Sequence, residues 1–379
     1  TVKAIVKDII KAMQTIAPSS FAEKWDNVGL QVGEKDWAIK KIWIALDPLK
    51  EIVEAACKKK VDLLITHHPL IFKPLKCVDL STTAGSIINM AICNRMAIFS
   101  AHTNLDKARG GINDILADII GLKNLKVLNK PLETEKFKLV VYVPVEHEKR
   151  VFEALFESGM GKIGNYTCCT FRNYGTGTFK PGSASKPFTG KIGEISHTDE
   201  SRIELVVEKN NLKQLIENVG KHHPYETPAY DIYPLFDSIF ESETESSAGL
   251  GRIGEINEKV SLLSLAQNIK EKLGLKYIKI AGRPDLAISK VAVCSGSGSS
   301  LMDDFLASGA EVYISGDLGY HNARAVEAAD RGLIDVGHFA SEHIIVKHLT
   351  EKLKKILTEA GFDVGIKACD MEADPFMIL

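Results

Sequence analysis

The sequence predicts an α/β protein with a duplicated, three-layer α/β domain around a mostly parallel sheet, interrupted by a ferredoxin-like α+β insert. Three observations predict this architecture. Strand and helix patterns alternate in the first and last thirds of the 379 residues, these two thirds share one order of elements, and the middle third follows a different order. The composition, 45% apolar and 25% charged, is that of an ordinary globular protein.

The first third alternates helices and strands. Apolar residues at helical spacing predict a helix over residues 2–17. The alternation then continues with strands over 41–46, 61–66 and 96–100 and helices over 51–60 and 86–94. Continuous apolar runs such as 61–66 are typical of strands that are covered on both faces.

The last third repeats this order. Its predicted elements are strands over 290–294, 311–315 and 333–336, helices over 301–308, 321–331 and 341–360, and a flexible turn over 296–300. In both thirds a later strand is followed by a histidine and a carboxylate four positions apart, namely His102 with Asp106 and His338 with Glu342. Agreement over several elements in order predicts an internal duplication.

The middle third follows the order β-α-β-β-α-β, which is the split, ferredoxin-like pattern. Its predicted elements are strands over 137–143, 167–179, 202–208 and 230–235, helices over 146–158 and 212–221, and a mobile hairpin loop over 180–190. Residues 237–248, rich in Ser and Glu, predict a linker. We therefore place the α/β domain at 1–128 and 250–379, and the insert with its linker at 129–249.

Charge and cysteine content narrow the classes of function. Lys and Arg number 47 against 49 Asp and Glu, so a polyanion-binding surface is not favoured, although a local basic patch stays open. There is no apolar run long enough to span a membrane and no signal-peptide pattern. Seven cysteines without a Cys-x-x-Cys motif form neither a disulfide framework nor a zinc ribbon. We expect a cytoplasmic protein without membrane contact, with nucleic acid as a less favoured partner.

Polar side chains follow several predicted strands at their carboxyl ends, where ligands bind in parallel α/β folds. They are His67 and His68 after one strand, Asp106 one turn after His102, and His338 with Glu342 one helical turn apart. Three imidazoles and two carboxylates exceed the ligand set of one tetrahedral zinc and suit two divalent metals that share a carboxylate. Imidazoles favour Zn, Fe, Ni or Cu, and carboxylates also admit Mn.

Each of these motifs also has an ordinary structural interpretation. Adjacent histidines are common in loops, a helical His–Glu pair is common on surfaces, and Asp106 can be a helix N-cap. Asp317 and His321 repeat the four-residue spacing and are either helix caps or outer support for the ligands. Residues 295–299 form either a tight turn or an anion contact, since they lack the lysine of a phosphate-binding loop.

Two further motifs have no assigned chemistry. His222-His223-Pro224-Tyr225-Glu226 superficially repeats His67-His68-Pro69, but it belongs to the insert, where a structural or interfacial role is favoured. Trp25-Asp26-Asn27 and Asp47 can line the cleft, although no local pattern requires it.

Five motifs occur in order along nearly the whole chain: Trp25-Asp26-Asn27-Val28-Gly29-Leu30, Thr66-His67-His68-Pro69, His102-Thr103-Asn104-Leu105-Asp106, His223-Pro224-Tyr225-Glu226 and Gly337-His338-x-x-x-Glu342. Together they resemble the GTP cyclohydrolase I type 2 homologue family, also called Nif-three-like. The resemblance implies a centre of two divalent metal ions per chain, with Zn, Fe or Mn favoured. Its implied ligands are His67, His68, Asp106, His338 and Glu342, with Glu342 as the bridge. His102 and His321 are candidates for supporting the ligands or for transferring protons.

The resemblance also implies an activity and an assembly. Longer members of the family carry an insert similar to PII signalling proteins and to the divalent-cation tolerance protein CutA, which residues 223–228 also resemble. The implied assembly is a homohexameric toroid of two stacked trimers. The family name implies hydrolysis of GTP, or of a related nucleotide or other small molecule, through a metal-bridging hydroxide. A non-catalytic metal-binding or metabolite-sensing hexamer is the alternative.

Overall fold

The computed structural model describes residues 3–129, 136–156, 160–161, 163, 166–235 and 248–377. The chain forms two compact units, one of Thr1–Lys130 with Ser242–Leu379 and one of Pro131–Glu241. The smaller unit therefore starts two residues later and ends eight residues earlier than the predicted insert at 129–249. None of the described helices combines the length and the apolar character that crossing a lipid bilayer requires.

The first half of the larger unit alternates strands and helices. Its strands are β1 (Ala4–Ile5), β2 (Gly29–Val32), β3 (Ala38–Ile39), β4 (Lys41–Ala45), β5 (Leu63–Thr66), β6 (Ala97–Ser100) and β7 (Lys123–Asn129). Its helices are α1 (Val6–Ile16), α2 (Lys50–Lys58), α3 (Thr83–Cys93), α4 (Thr103–Lys107) and α5 (Ile112–Ile120). The first helix starts at Val6 rather than at residue 2, because β1 pairs with β3 before the helix begins.

The smaller unit has the predicted ferredoxin-like order. Its elements are β8 (Lys136–Pro144), α6 (Glu148–Phe156), β9 (Phe171–Phe179), β10 (Ser196–Glu208), α7 (Lys209–His222) and β11 (Tyr230–Leu235). The four strands form an antiparallel sheet in the order β11-β8-β10-β9. Strand β10 starts six residues before the predicted 202, because Ser196 pairs with Phe179 of β9. The predicted linker at 237–248 lies outside the described residues except for Ala248.

The second half of the larger unit completes the chain. Its strands are β12 (Leu250–Ser261), β13 (Lys279–Ala281), β14 (Ala287–Ser297), β15 (Val312–Gly316), β16 (Gly332–Asp335) and β17 (Gly365–Ala368). Its helices are α8 (Leu262–Lys272), α9 (Met302–Ala307), α10 (Tyr320–Ala328) and α11 (His338–Glu359). The flexible turn predicted at 296–300 is wrong, because β14 continues to Ser297, which pairs with Gly316. A short 3-10 turn at Ser299–Leu301 follows.

Both halves contain the same arrangement of strands. In the first sheet β4, β5 and β6 are parallel neighbours, and β2 pairs antiparallel with β6. In the second sheet β14, β15 and β16 are parallel neighbours, and β13 pairs antiparallel with β16. This repeated topology agrees with the predicted duplication.

The outer strands of the two sheets differ. Strand β17 lies parallel to β4, so the first sheet is parallel apart from β2. In the second sheet β12 is antiparallel to both β14 and β7, so this sheet is mixed rather than mostly parallel. The chain leaves the larger unit after β7 and returns to it at β12. These two strands run in opposite directions and therefore pair antiparallel.

Each sheet has an apolar layer on both faces, which gives the three-layer arrangement. In β4, Ile42 and Ile44 pack towards α1 and α11, whereas Trp43 and Ala45 pack towards α2 and α3. Helix α5 joins the cores of the two sheets, since Ile112 belongs to the first core and Leu116 to the second. The shared core holds the two halves together, and loops from the carboxyl ends of their parallel strands build the site described next.

Candidate metal centre

The structure brings the five predicted ligand side chains together and adds His102 to them. Two groups of possible ligand atoms each lie within 4.8 Å of one another: those of His67, His68 and His102, and those of His68, His338 and Glu342. Asp106 joins the cluster through its Oδ1, which lies 3.7 Å from Nε2 of His67. His102 was expected to support the ligands or to transfer protons, and its position makes it a candidate ligand as well.

The strand ends position these side chains. The hydrogen-bond pattern of β5 continues past its end, since the backbone nitrogens of His67 and His68 donate to Ala45 and Leu46. Helix α11 begins at His338 rather than at the predicted residue 341. Gly337 adopts a φ of +84°, a value that favours glycine, and lets the chain turn directly from β16 into the helix. His338 and Glu342 therefore lie on the same face of the first turn of α11.

All four imidazoles of the cluster have their Nδ1 atom within hydrogen-bond distance of a protein oxygen. The pairs are His67 with the carbonyl of Ala101 (2.9 Å), His68 with Asp47 (2.8 Å), His102 with Asp26 (2.9 Å) and His338 with Asp317 (2.7 Å). Such contacts fix the orientation of each ring and leave its Nε2 atom free to face the cluster. This pattern is typical of histidines that bind a metal ion.

The supporting roles of the three carboxylates were not predicted from the sequence. Asp47 and Asp26 had no assigned role, and Asp317 was either a cap or a support; its contact with His338 favours the second. Two of them could have been predicted from their positions at strand ends. Asp47 follows β4, which lies beside β5, and Asp317 follows β15, which lies beside β16. Asp26 lies in a loop that carries no such signal.

Glu342 occupies the centre of the cluster. Its Oε2 atom lies 3.0 Å from Nε2 of His68 and 2.9 Å from Nε2 of His338, whereas Oε1 lies 3.7 Å from Nε2 of His67. The two oxygens of one carboxylate therefore face different imidazoles. Only 4% of Glu342 is exposed.

Gly296 makes room for this carboxylate. A Cβ atom at this position would lie 2.0 Å from Oε1 of Glu342, and the φ of +62° also disfavours other residues. The backbone nitrogen of Gly296 donates to the hydroxyl of Ser341, which fixes the approach of β14 to α11. The Gly/Ser-rich segment at 295–299 thus allows the backbone of β14 to lie close to the side chain of Glu342.

The cluster is strongly charged. Burial alone would raise the pKa of Glu342, but the neighbouring imidazoles of His338, His67 and His68 hold it well below its usual value. Burial would lower the pKa of His68, but Asp47 and Glu342 outweigh it and raise that pKa to about 10. The hydrogen bond with Glu342 is the main reason that the pKa of His338 rises to about 9. At neutral pH these raised pKa values favour the protonated forms of His68 and His338 when no metal is bound.

The residues fit a metal ion. Nε2 of His67 and Oδ1 of Asp106 are buried and have no hydrogen-bond partner, and they lie 3.7 Å apart. A buried polar atom without a partner is costly, and a cation between these two atoms would remove that cost. Imidazole nitrogen and carboxylate oxygen are the donors that transition metals and zinc accept.

His321 is the predicted residue that the structure does not bring to the cluster. It lies exposed in the first turn of α10, with its ring 5.5 Å from that of Tyr320. Within the described ranges no hydrogen bond, ion pair or ring contact joins it to the six clustered side chains, and its predicted role stays a prediction.

A cavity of about 580 Å³ opens beside the cluster, and His68, His338, Tyr277 and Lys279 are among its lining residues.

Comparison with known proteins identifies similar chains over the whole length. The Duf34/NIF3 (NGG1p interacting factor 3) family matches residues 4–375. A protein of Halalkalibacterium halodurans named GTP cyclohydrolase 1 type 2 homolog is 37% identical over 371 residues, covering 98% of each chain. A Bacillus subtilis protein of the same name is 37% identical over 373 residues, again covering 98% of each chain.

Solved structures agree with this match. The crystal structure of a Bacillus cereus protein related to NIF3 is 34% identical, with a TM-score of 0.68 over 100% of both chains. A Staphylococcus aureus crystal structure is 27% identical, with a TM-score of 0.67 over 99% of both chains. The family resemblance that the motifs predicted is confirmed.

We expect metal binding near neutral pH to release protons, because His68 and His338 are protonated without metal and ligate only as neutral imidazoles. Calorimetric titration of zinc at pH 7.5 in buffers of different ionisation enthalpy should report about two released protons, with affinity rising as pH rises. The His68→Ala variant should release about one proton fewer. Binding that releases no protons would contradict this account of the cluster.

We expect Asp47→Asn to lower metal affinity by about 10–100-fold, because the charge that supports His68 is lost while the side-chain size is kept. Asp370→Asn is the matched control, since Asp370 is exposed and forms its ion pair with Lys367 rather than with a clustered side chain. Competition with a fluorescent zinc chelator measures both affinities. Equal affinities for the two variants would show that Asp47 does not support the ligand.

Proposed function

The chain belongs to the Duf34/NIF3 family, and we propose that it binds two divalent metal ions and hydrolyses GTP or a related nucleotide. The observation that carries this proposal is the division of the Glu342 carboxylate between two sets of imidazoles. Two-metal hydrolytic sites characteristically share a carboxylate between ions about 3.5–4 Å apart.

Two ligand sets that share Glu342 fit these side chains. His67, Asp106 and Glu342 would hold one ion, and His68, His338 and Glu342 would hold the other. When bound, such ions supply Lewis-acid polarisation of the substrate and activation of water. The nitrogen and oxygen donors favour Zn, Fe or Mn.

His102 is placed to hold or move a proton. Asp26 contacts its Nδ1 at 2.9 Å and also accepts hydrogen bonds from the backbone and hydroxyl of Thr103. Burial would raise the pKa of Asp26, but the contacts with His102 and Thr103 outweigh it and lower that pKa to about 2. An ionised Asp26 stabilises a proton on Nδ1, so that Nε2 of His102 can accept or donate one towards the cluster.

An aromatic pair beside His102 supports a substrate with a planar ring. Trp25 and Phe72 lie 5.7 Å apart between ring centroids, and their centroids lie 6.2 Å and 6.4 Å from that of His102. Trp25 is 59% exposed and Phe72 48% exposed. Asn27 donates to the carbonyl of Ile71 at 2.6 Å and ties the two loops together. Stacking of a nucleobase on such rings contributes about 1–3 kcal/mol per base.

The name of the relatives, GTP cyclohydrolase 1 type 2 homolog, supports a guanine nucleotide as the first substrate to assay. We retain the non-catalytic, metal-binding or metabolite-sensing assembly as the alternative outcome. The homohexamer of two trimers and the cytoplasmic location stay predictions.

We expect protein purified without added metal to contain two metal equivalents per chain and to hydrolyse GTP. Chelation should abolish turnover, and Mn²⁺, Zn²⁺ or Fe²⁺ should restore it. Glu342→Gln should lower turnover by about 100-fold or more because both ligand sets lose their shared oxygen charge. Elemental analysis and chromatography of the products measure these effects.

Glu359→Gln is the matched control, because Glu359 is exposed at the far end of the same helix and should leave turnover and metal content unchanged. Fully metallated protein that leaves GTP and a panel of nucleotides intact would contradict the hydrolase and favour the non-catalytic alternative. One metal equivalent or none would contradict the two-metal centre.

We expect Trp25→Ala to weaken GTP binding by about 5–150-fold, the range that corresponds to the loss of one stacking contact. Binding of inorganic tripolyphosphate, which has no base, should be unchanged. Tyr174→Ala is the control, since Tyr174 is an aromatic of similar exposure (65%) in the smaller unit. GTP affinity that does not change on loss of Trp25 would rule out the aromatic pair as a base-binding surface, whether or not GTP is hydrolysed.

A further inference from the structure

We infer that the smaller unit contains a binding site for a small alkylammonium cation. The site is a cavity of about 290 Å³ between the end of β9, the loop that follows it and the segment after α7. Its lining residues include three aromatic rings, Phe179, Phe188 and Tyr225, and two carboxylates, Glu200 and Glu226. This inference is independent of the metal cluster, since none of these residues belongs to the larger unit.

The aromatic rings supply the surface that attracts a cation. The ring of Tyr225 lies between the two phenylalanines, with centroid distances of 6.0 Å to Phe179 and 6.3 Å to Phe188. Phe188 is 53% exposed, which leaves part of its ring open to a ligand. Faces of aromatic rings attract ammonium groups, by about 0.5–2 kcal/mol for each well-placed contact.

The carboxylates add negative charge to the same cavity. The hydroxyl of Tyr225 donates to Oε1 of Glu200 at 2.8 Å, and the backbone nitrogen of Lys186 donates to Oε2 of Glu226 at 3.0 Å. Neither carboxylate forms an ion pair with any Lys, Arg or His in the described part of the chain. A Cβ atom at Gly177 would lie 2.2 Å from Oε2 of Glu200, so this glycine makes room for the carboxylate.

The balance of charge in the cavity distinguishes between classes of ligand. Lys186 is the one basic residue in the lining, and it is exposed, against the two carboxylates. A phosphate or carboxylate ligand would approach two like charges, whereas a cation would approach two opposite charges and three aromatic rings. The lining therefore favours a cation with apolar substituents.

The motif at 223–226 acquires a role from this site. Nε2 of His223 lies 2.8 Å from the carbonyl oxygen of Tyr142, and its Nδ1 accepts a hydrogen bond from the backbone nitrogen of Tyr225. These contacts anchor the turn after α7 to β8. Tyr225 and Glu226 in this turn line the cavity. The structural role favoured for His223 is therefore to position these two residues.

Choline and its neutral isostere 3,3-dimethylbutan-1-ol test the inference, because they have nearly the same shape and differ in charge. We expect calorimetry on the full-length, metal-loaded protein to detect choline and to find the isostere about tenfold weaker or undetectable. Phe188→Leu and Glu226→Gln should each weaken choline binding by about fivefold or more. Phe171→Leu is the control, because Phe171 is 67% exposed on β9 and does not line the cavity.

Circular dichroism and metal content should be unchanged in all three variants, which separates loss of binding from loss of folding. Equal affinity for choline and the isostere would overturn the inference. The same conclusion would follow from an absence of binding up to about 10 mM choline, or from variants that bind like the parent protein. Loss of nucleotide hydrolysis would leave it intact, since the two sites share no residue.

Discussion

The buried carboxylate of Glu342 is the group on which the site depends. Removing a charged group from water costs several kcal/mol unless partners compensate for it, and here His67, His68 and His338 provide that compensation. The surrounding structure follows from this requirement. The glycine at 296 admits the carboxylate, and α11 begins at His338 so that the histidine and Glu342 share one face. A bound metal ion would compensate the same carboxylate charge.

Neither half of the duplicated unit contains a complete site. The first half contributes His67, His68, His102 and Asp106, and the second contributes His338 and Glu342. The halves are held together by the core that α5 shares between both sheets, and this core aligns the strand ends. The geometry of the polar cluster therefore depends on the packing of the apolar core, although the two consist of different residues.

Two short motifs gain their meaning from three-dimensional neighbours. In the first, Trp25 packs on Phe72 and Asp26 contacts His102. Asn27 donates a hydrogen bond to the carbonyl of Ile71. Three adjacent residues thus make three different contacts at one edge of the cluster. In the second, His223 anchors a turn that exposes Tyr225 and Glu226 to a separate cavity. The larger unit thus places candidate metal ligands beside two aromatic rings, whereas the smaller one places aromatic rings beside two carboxylates.

The sequence by itself determined the alternation of strands and helices, the β-α-β-β-α-β order of the insert and the five candidate ligands, because hydrophobic periodicity and residue type are local properties. Tertiary structure alone decided which carboxylates support the histidines, how Glu342 divides its oxygens, why the second sheet is mixed, and that His321 lies apart. Asp26 and His102 are 76 positions apart, and a contact of that kind depends on packing rather than on any local pattern. Short strands such as β1 and β3 were missed for the same reason, since two-residue segments have no periodicity and exist only through their partner.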